Sequence, residues 1–203
     1  MIPITIGARP DNDFRNPLGL LSDCHRRIER YINQIILISE TAARGSLCRD
    51  QREALGAALR YFRQASPLHT ADEEVSLFPR MRETGNPDAL AAIEALEADH
   101  RDAEVWHHQL DEIGLRWIEE DGLDPASAED MDRLLGRLND LYHGHIAMED
   151  NRIFPLAGET LDPDMIQLVG REMAERRGLN PDALPDLPRC TIRRMEREVG
   201  STR

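Results

Sequence analysis

His69 and Glu73 stand four residues apart, and so do His145 and Glu149. The stretches that hold them, HTADEEVSLFP from His69 and HIAMEDNRIFP from His145, align without a gap at an offset of 76 residues. Each carries His, then Glu, a second acid and a closing Phe-Pro. A helix turns ~100° per residue, so partners four apart lie within ~40° of each other and project together. Imidazole with carboxylate is a donor set for iron, manganese or zinc. Two carboxylates from facing helices can bridge two metal ions, with histidines in the terminal positions. Two further histidines join the pattern: His25 lies 44 residues before His69, and His100 lies 45 before His145. The order is His, His-x3-Glu, His, His-x3-Glu, a repeat of two halves that each offer two His and one Glu.

Helices must carry these residues. The Asn-Pro or Asp-Pro pairs at Asn16, Asn86, Asp124 and Asp162 read as N-caps followed by a proline that needs no N–H. Glycines 45, 85, 122 and 178 read as stops. Between these marks the spacing predicts helices over Pro17–Ala43, Asp50–Phe78, Pro87–Glu119 and Pro125–Phe154, with Pro67 kinking or interrupting the second. Their apolar stripes are Leu18, Leu21, Ile28, Ile32 and Ile35; Leu55, Leu59 and Phe62; Leu90, Ile93 and Leu96; and Met131, Leu134, Leu138 and Leu141. The His and Glu pattern falls where each stripe should continue. An ionised Glu there is costly unless it is paired or binds metal. No strand pattern occurs. The fold expected is all-α: an antiparallel up-and-down four-helix bundle with a short C-terminal helix, from Pro163 to about Arg177, and a tail. It divides into an N-terminal extension (1–15), the bundle (16–158), and the C-terminal helix and tail (159–203).

The chain has 203 residues and a net charge of −13, from 38 acids against 25 bases that are all Arg. This balance argues against a nucleic-acid partner. No apolar run approaches the ~18–20 residues of a membrane span. The opening MIPITIGARPDNDFRNP lacks the form of a signal peptide. Cys24, Cys48 and Cys190 are sparse and odd in number, which points to a reducing compartment, so a cytoplasmic location is expected. Nothing specifies an oligomeric state.

The lines DCHRRIER, HTADEEVSLFPRM, EADHRDAE and HIAMEDNRIFPLA resemble the hemerythrin-like HHE cation-binding domain over roughly residues 16–158. The resemblance implies a non-haem di-iron centre: two iron ions per chain, oxo- or hydroxo-bridged, with zinc or manganese as the alternative occupants. His25, His69, His100 and His145 would be terminal ligands, and Glu73 and Glu149 would bridge. The family's oxygen carriers have a fifth His four residues after the helix-3 ligand, where this chain has Glu104. They also have Asp five residues after the last His, which makes Asp150 a rival to Glu149. Glu149 is preferred because it mirrors Glu73. The chain is thus more similar to the symmetric bacterial branch, which includes proteins linked to iron–sulfur cluster repair and nitric oxide stress. The function implied is binding of, or reaction with, O2, NO or peroxide. The alternatives are iron holding and delivery in cluster repair, or sensing without turnover. With Glu104 in place of a fifth His, both irons are expected to be accessible and reversible oxygen carriage poor.

Other residues have plainer readings. His107 is second to the site or surface, and His108 and His143 are solvated. Glu74 and Asp150 are exposed acids, and Glu97 and Glu104 are solvated or near the site. Cys24 is a small buried residue. Each Phe-Pro ends its helix, with Phe under the metal layer. Trp106 and Trp117 pack at the bundle edge. The arginines at 189, 193, 194 and 197 could dock on the acidic bundle or stay solvated.

Overall fold

The computed structural model describes residues 12–120 and 122–181, and every regular element among them is helical. In chain order these are α1 (Pro17–Ala42), α2 (Arg49–Gln64), α3 (Ser66–Ala71), a π-helical segment (Asp72–Leu77) and α4 (Phe78–Glu83). Then come α5 (Pro87–Glu119), α6 (Pro125–Met148), a second π segment (Glu149–Ile153), α7 (Phe154–Thr160) and α8 (Pro163–Arg176). All four expected caps form: the side chains of Asn16, Asn86, Asp124 and Asp162 each accept a backbone N–H from the first turn that follows. Gly85 and Gly178 take the left-handed conformation, at φ 67° and 69°. At the end of α1 that conformation falls instead on Ala43 and Arg44 (φ 46° and 66°), before Gly45.

Pro67 interrupts its helix as expected. The break falls at Ala65, and Pro67 then sits in the first turn of α3, where its missing N–H is not needed. The expectation that Phe-Pro ends each helix is overturned. After Phe78-Pro79 the chain runs on as α4 to Glu83, and after Phe154-Pro155 as α7 to Thr160. The reason is the π segment before each pair. Phe78 N–H reaches back five residues to Glu73 O, and Phe154 N–H to Glu149 O. The widened turn restarts the hydrogen-bond ladder, so each proline enters as a first-turn residue rather than as a breaker.

α1 packs against α2 and α6, and α5 packs against the same two, which closes a ring. The interior is two apolar clusters with a polar layer between them. One gathers Ile28–Ile38 of α1, Leu55–Phe62 of α2, Ala103–Trp117 of α5 and Met131–Ile146 of α6. The other gathers Leu20 and Leu21, Leu77–Met81, Ala89–Leu96, Ile153–Ala157, and Val169 and Met173 of α8. The chain crosses from the second cluster to the first along α1, back through α2 and α3, across along α5 and back along α6. Each crossing passes through the same polar layer. Trp117 is wholly buried in the first cluster, with its indole N–H donating to Gly45 O at 2.8 Å, so it is a core residue rather than an edge one.

α8 docks on α1 and on the first π segment. Asp72 is fully buried and receives Arg176 and Arg177; Arg80 pairs with Glu172 at 2.6 Å. Gly170 is required at this contact, since a Cβ there would lie 2.0 Å from Phe14 O. Cys190 and the arginines at 189, 193, 194 and 197 lie outside the described residues.

Candidate metal centre

Each crossing of the polar layer delivers one part of the repeat. α1 brings His25, α3 and its π segment bring His69 and Glu73, α5 brings His100, and α6 and its π segment bring His145 and Glu149. All six converge. His25, His69, Glu73 and Glu149 offer donor atoms within 4.8 Å of one another, and so do Glu73, His100, His145 and Glu149. The two groups share both glutamates. Each takes its own pair of histidines, one pair from each half of the chain.

All four rings turn Nε2 toward the carboxylates. His25 Nε2 lies 3.0 Å from Glu149 Oε2 and 3.8 Å from Glu73 Oε1. His69 Nε2 is 3.4 Å from Glu73 Oε1, His100 Nε2 3.3 Å from Glu73 Oε2, and His145 Nε2 3.2 Å from Glu149 Oε2. These approaches are not aligned as hydrogen bonds. The four oxygens of Glu73 and Glu149, and Nε2 of His25 and His100, are buried without a hydrogen-bond partner. Buried polar atoms are nearly always satisfied, and four orphan carboxylate oxygens facing imidazole nitrogens are the arrangement a cation completes. The site therefore fits metal on the chemistry and placement of its donors.

The electrostatics carry the same demand. Burial works to raise the glutamates, yet the surrounding imidazoles hold Glu73 well below the ordinary carboxyl range and Glu149 below it. Burial works to lower the histidines. In His25 the carboxylates of Asp150, Glu149 and Glu73 overcome it and lift the ring well above its usual value; in His145, Asp99 and Glu149 lift it to about 10. His100 is also raised, by Glu73. In His69 burial wins and the ring falls to about 4. The raised rings thus favour holding protons beside the two carboxylates.

The far nitrogens of three rings have carboxylate partners, which the sequence reading missed. His25 Nδ1 donates to Asp150 Oδ1 at 3.0 Å, His100 Nδ1 to Glu74 Oε1 at 2.9 Å, and His145 Nδ1 to Asp99 Oδ2 at 3.3 Å. Glu74 and Asp150 are therefore half-buried orienting groups and not the plain exposed acids expected. A carboxylate on the far nitrogen fixes the tautomer and makes the near one a stronger donor. Asp150 belongs to neither ligand group, and Ser22 also donates to it, at 2.7 Å.

Glu104 lies outside both groups and is exposed. The buried positions of α5 recur every seven residues, at Ala89, Leu96, Ala103, Leu110 and Trp117. His100 and His107 belong to the adjoining row with Ile93 and Gly114, while Glu104 falls one step past Ala103 and turns outward. His107 is neither surface nor a partner of the site histidines. Its Nε2 lies 2.7 Å from Tyr142 Oη, its ring stacks on Phe62 at 4.1 Å, and burial pushes it down to about 3. His108 and His143 are exposed, as expected, and Glu97 pairs with Arg82 at 2.7 Å. Phe154 stacks on His25 and Phe78 on His100, at 5.4 and 6.3 Å. Cys24 is buried and Cys48 exposed; both are free.

A cavity of about 380 Å³ adjoins all four histidines. Tyr142 and His107 are among its lining residues. Pro67, Thr70, Ala71 and Ala103 also line it, as do Val75 and Glu104, which are exposed. A small molecule thus has a way to the histidine layer between α3 and α5.

The model of the hemerythrin HHE cation binding domain matches residues 16–157. An uncharacterized protein of Haemophilus influenzae is 27% identical over 165 residues, covering 81% of this chain and 91% of that protein. No helix among the described residues is long and apolar enough to cross a membrane.

Proposed function

The chain belongs to the hemerythrin HHE cation-binding family, and from that premise we propose that it is a non-haem di-iron protein that binds or reacts with O2, NO or peroxide. The observation that carries this reading is the pair of buried glutamates, each unpartnered and each shared by two histidine pairs. His25 and His69 would hold one iron and His100 and His145 the other, with Glu73 and Glu149 shared between the two positions. The domain spans residues 16–158, with 159–203 as its C-terminal appendage. Its fold is read as an antiparallel up-and-down four-helix bundle, supported by the alternating order in which the chain crosses the two apolar clusters.

Bound iron supplies the electrons and open valence on which diatomic and peroxide chemistry depends. The protein does the rest. Asp150, Glu74 and Asp99 hold protons on Nδ1 and so present Nε2 as the lone-pair donor. The apolar clusters flank the donor layer on both sides. The cavity admits a small ligand to both histidine pairs, and Glu104 belongs to neither donor group. Exposed Glu104, standing where the oxygen carriers have a fifth imidazole, supports reaction over reversible carriage. Net charge and free cysteines favour a cytoplasmic location without nucleic-acid partners.

Elemental analysis and absorption spectroscopy of protein from iron-replete cells test this reading. Two irons per chain are expected; one or fewer at full loading overturns it. Catalytic loss of peroxide or NO then marks an enzyme, and one-for-one binding marks a sensor, holder or carrier.

A further inference from the structure

The two halves of the centre are not equivalent. The repeat pairs Glu73 with Glu149, Glu74 with Asp150 and Phe78 with Phe154, and across these pairs the contacts are reproduced. Asp150 takes the Nδ1–H of His25 as Glu74 takes that of His100, and Phe154 stacks on His25 as Phe78 stacks on His100. The correspondence fails at the remaining two histidines. His145 Nδ1 donates to Asp99, the residue immediately before His100. The residue immediately before His25 is Cys24, and His69 Nδ1 is buried without a hydrogen-bond partner. No nearby acid substitutes for the missing one. Asp72 is the closest in sequence, and it is committed to Arg176 and Arg177.

We infer that the His25–His69 position is the weaker of the two metal positions, because Cys24 stands where the other half has Asp99. The inference rests on the two-iron reading. Asp99 acts through His145 and is a positioning residue: its carboxylate anchors the ring and raises the donor strength of Nε2. His69 has neither the anchor nor the charge. Loss of such a partner lowers metal affinity by ~10–100-fold, and that is the gap expected between the two positions. The His100–His145 position fills first, and a singly loaded protein is a populated state.

Protein loaded anaerobically with Fe2+ is titrated with a ferrous chelator, and iron per chain is read at each step. The wild type is expected to release its iron in two steps separated by ~10-fold or more in chelator. Asp99→Ala removes a half-exposed side chain from a helix surface and is expected to merge the steps by weakening the second. Cys24→Ala is expected to leave the gap unchanged, because Cys24 provides no partner to lose. Release of two irons in one step from the wild type overturns the inference while leaving the two-iron reading intact. A gap that survives Asp99→Ala also overturns it. A chain that never holds more than one iron refutes the two-iron reading, and the inference falls with it.

Discussion

Glu149 and Asp150 are neighbours in sequence with separate tasks. Glu149 is fully buried with both oxygens free for a cation, whereas Asp150 keeps a third of its side chain in solvent and holds His25 by Nδ1. Glu149→Ala is expected to abolish binding of two irons. Asp150→Ala is expected to retain both, with ~10-fold weaker affinity at one position. Elemental analysis against free iron ranks the two, and the reverse order would give Asp150 the bridging role. Protonation supplies a second test. His145 is raised to about 10, so without metal it carries a proton at pH 7, and His25 and His100 are shifted in the same direction by their carboxylate neighbours. Metal needs neutral imidazole. Iron uptake at pH 7 is therefore expected to release protons, seen with an indicator dye in weak buffer, and affinity should climb as pH rises. The metal-free fold behaves oppositely. Groups raised above their unfolded values stabilise it fully below about pH 6.5, and that stability is lost as pH rises through the folded values. Glu73 and Glu149 are depressed, so their contribution is present above the ordinary carboxyl range and is lost as pH falls. Urea midpoints of the metal-free protein should fall on both sides; a midpoint that is flat up to pH 10 would contradict the raised histidines.

The π segments and α8 set the two halves of the chain apart. The two wide turns begin at or beside the glutamates and let each chain continue past a proline, which brings Phe78 and Phe154 under His100 and His25. α8 docks on the first of them, through Asp72. In the other half the matching position is Met148, which has no charge to offer. Asp72→Ala is expected to cost ~3 kcal/mol, the low end for one partner of a buried ion pair, because both arginines keep some access to water. At ~2–4 °C per kcal/mol for a chain of this size, the melting temperature should drop by ~6–12 °C. Hydrogen exchange should rise first in α8. Unchanged protection there would mean that Val169 and Met173 alone hold the helix.

For the whole molecule, the centre divides the core. Two apolar clusters lie on either side of a layer that contains two ionised carboxylates. Buried charge without a partner is among the costliest features a core can hold. Metal should therefore contribute to stability by binding the folded chain alone. At a free concentration ~1,000 times Kd it adds ~4 kcal/mol, or ~8–16 °C. Calorimetry of the iron-loaded and metal-free protein checks this, and coincident melting curves would show that ring protons balance the layer fully.

How much was legible in the sequence followed from distance along the chain. Helix starts, the His-x3-Glu pairs and the apolar stripes are local, set by caps and by a period of 3.6 residues, and their alignment at one offset was enough to single out six residues and an all-helical fold. The partners of the far nitrogens were not legible, because Asp150 meets His25 across 125 positions, Asp99 meets His145 across 46 and Glu74 meets His100 across 26. No local rule tells such an acid from a solvated one. The burial of Trp117, the pairing of His107 with Tyr142 and the outward turn of Glu104 depend likewise on which face each helix gives its neighbours. The π turns had one visible sign, a proline followed by more helical pattern, but a widened turn and a helix end look alike until the continuing segment has something to pack against. Local spacing thus marked which residues could ligate and on which elements they ride. Tertiary packing alone decided which carboxylates those residues share and which nitrogen each ring presents, and it left His69 the one ring without an acid behind it, because such contacts form only when separate helices meet.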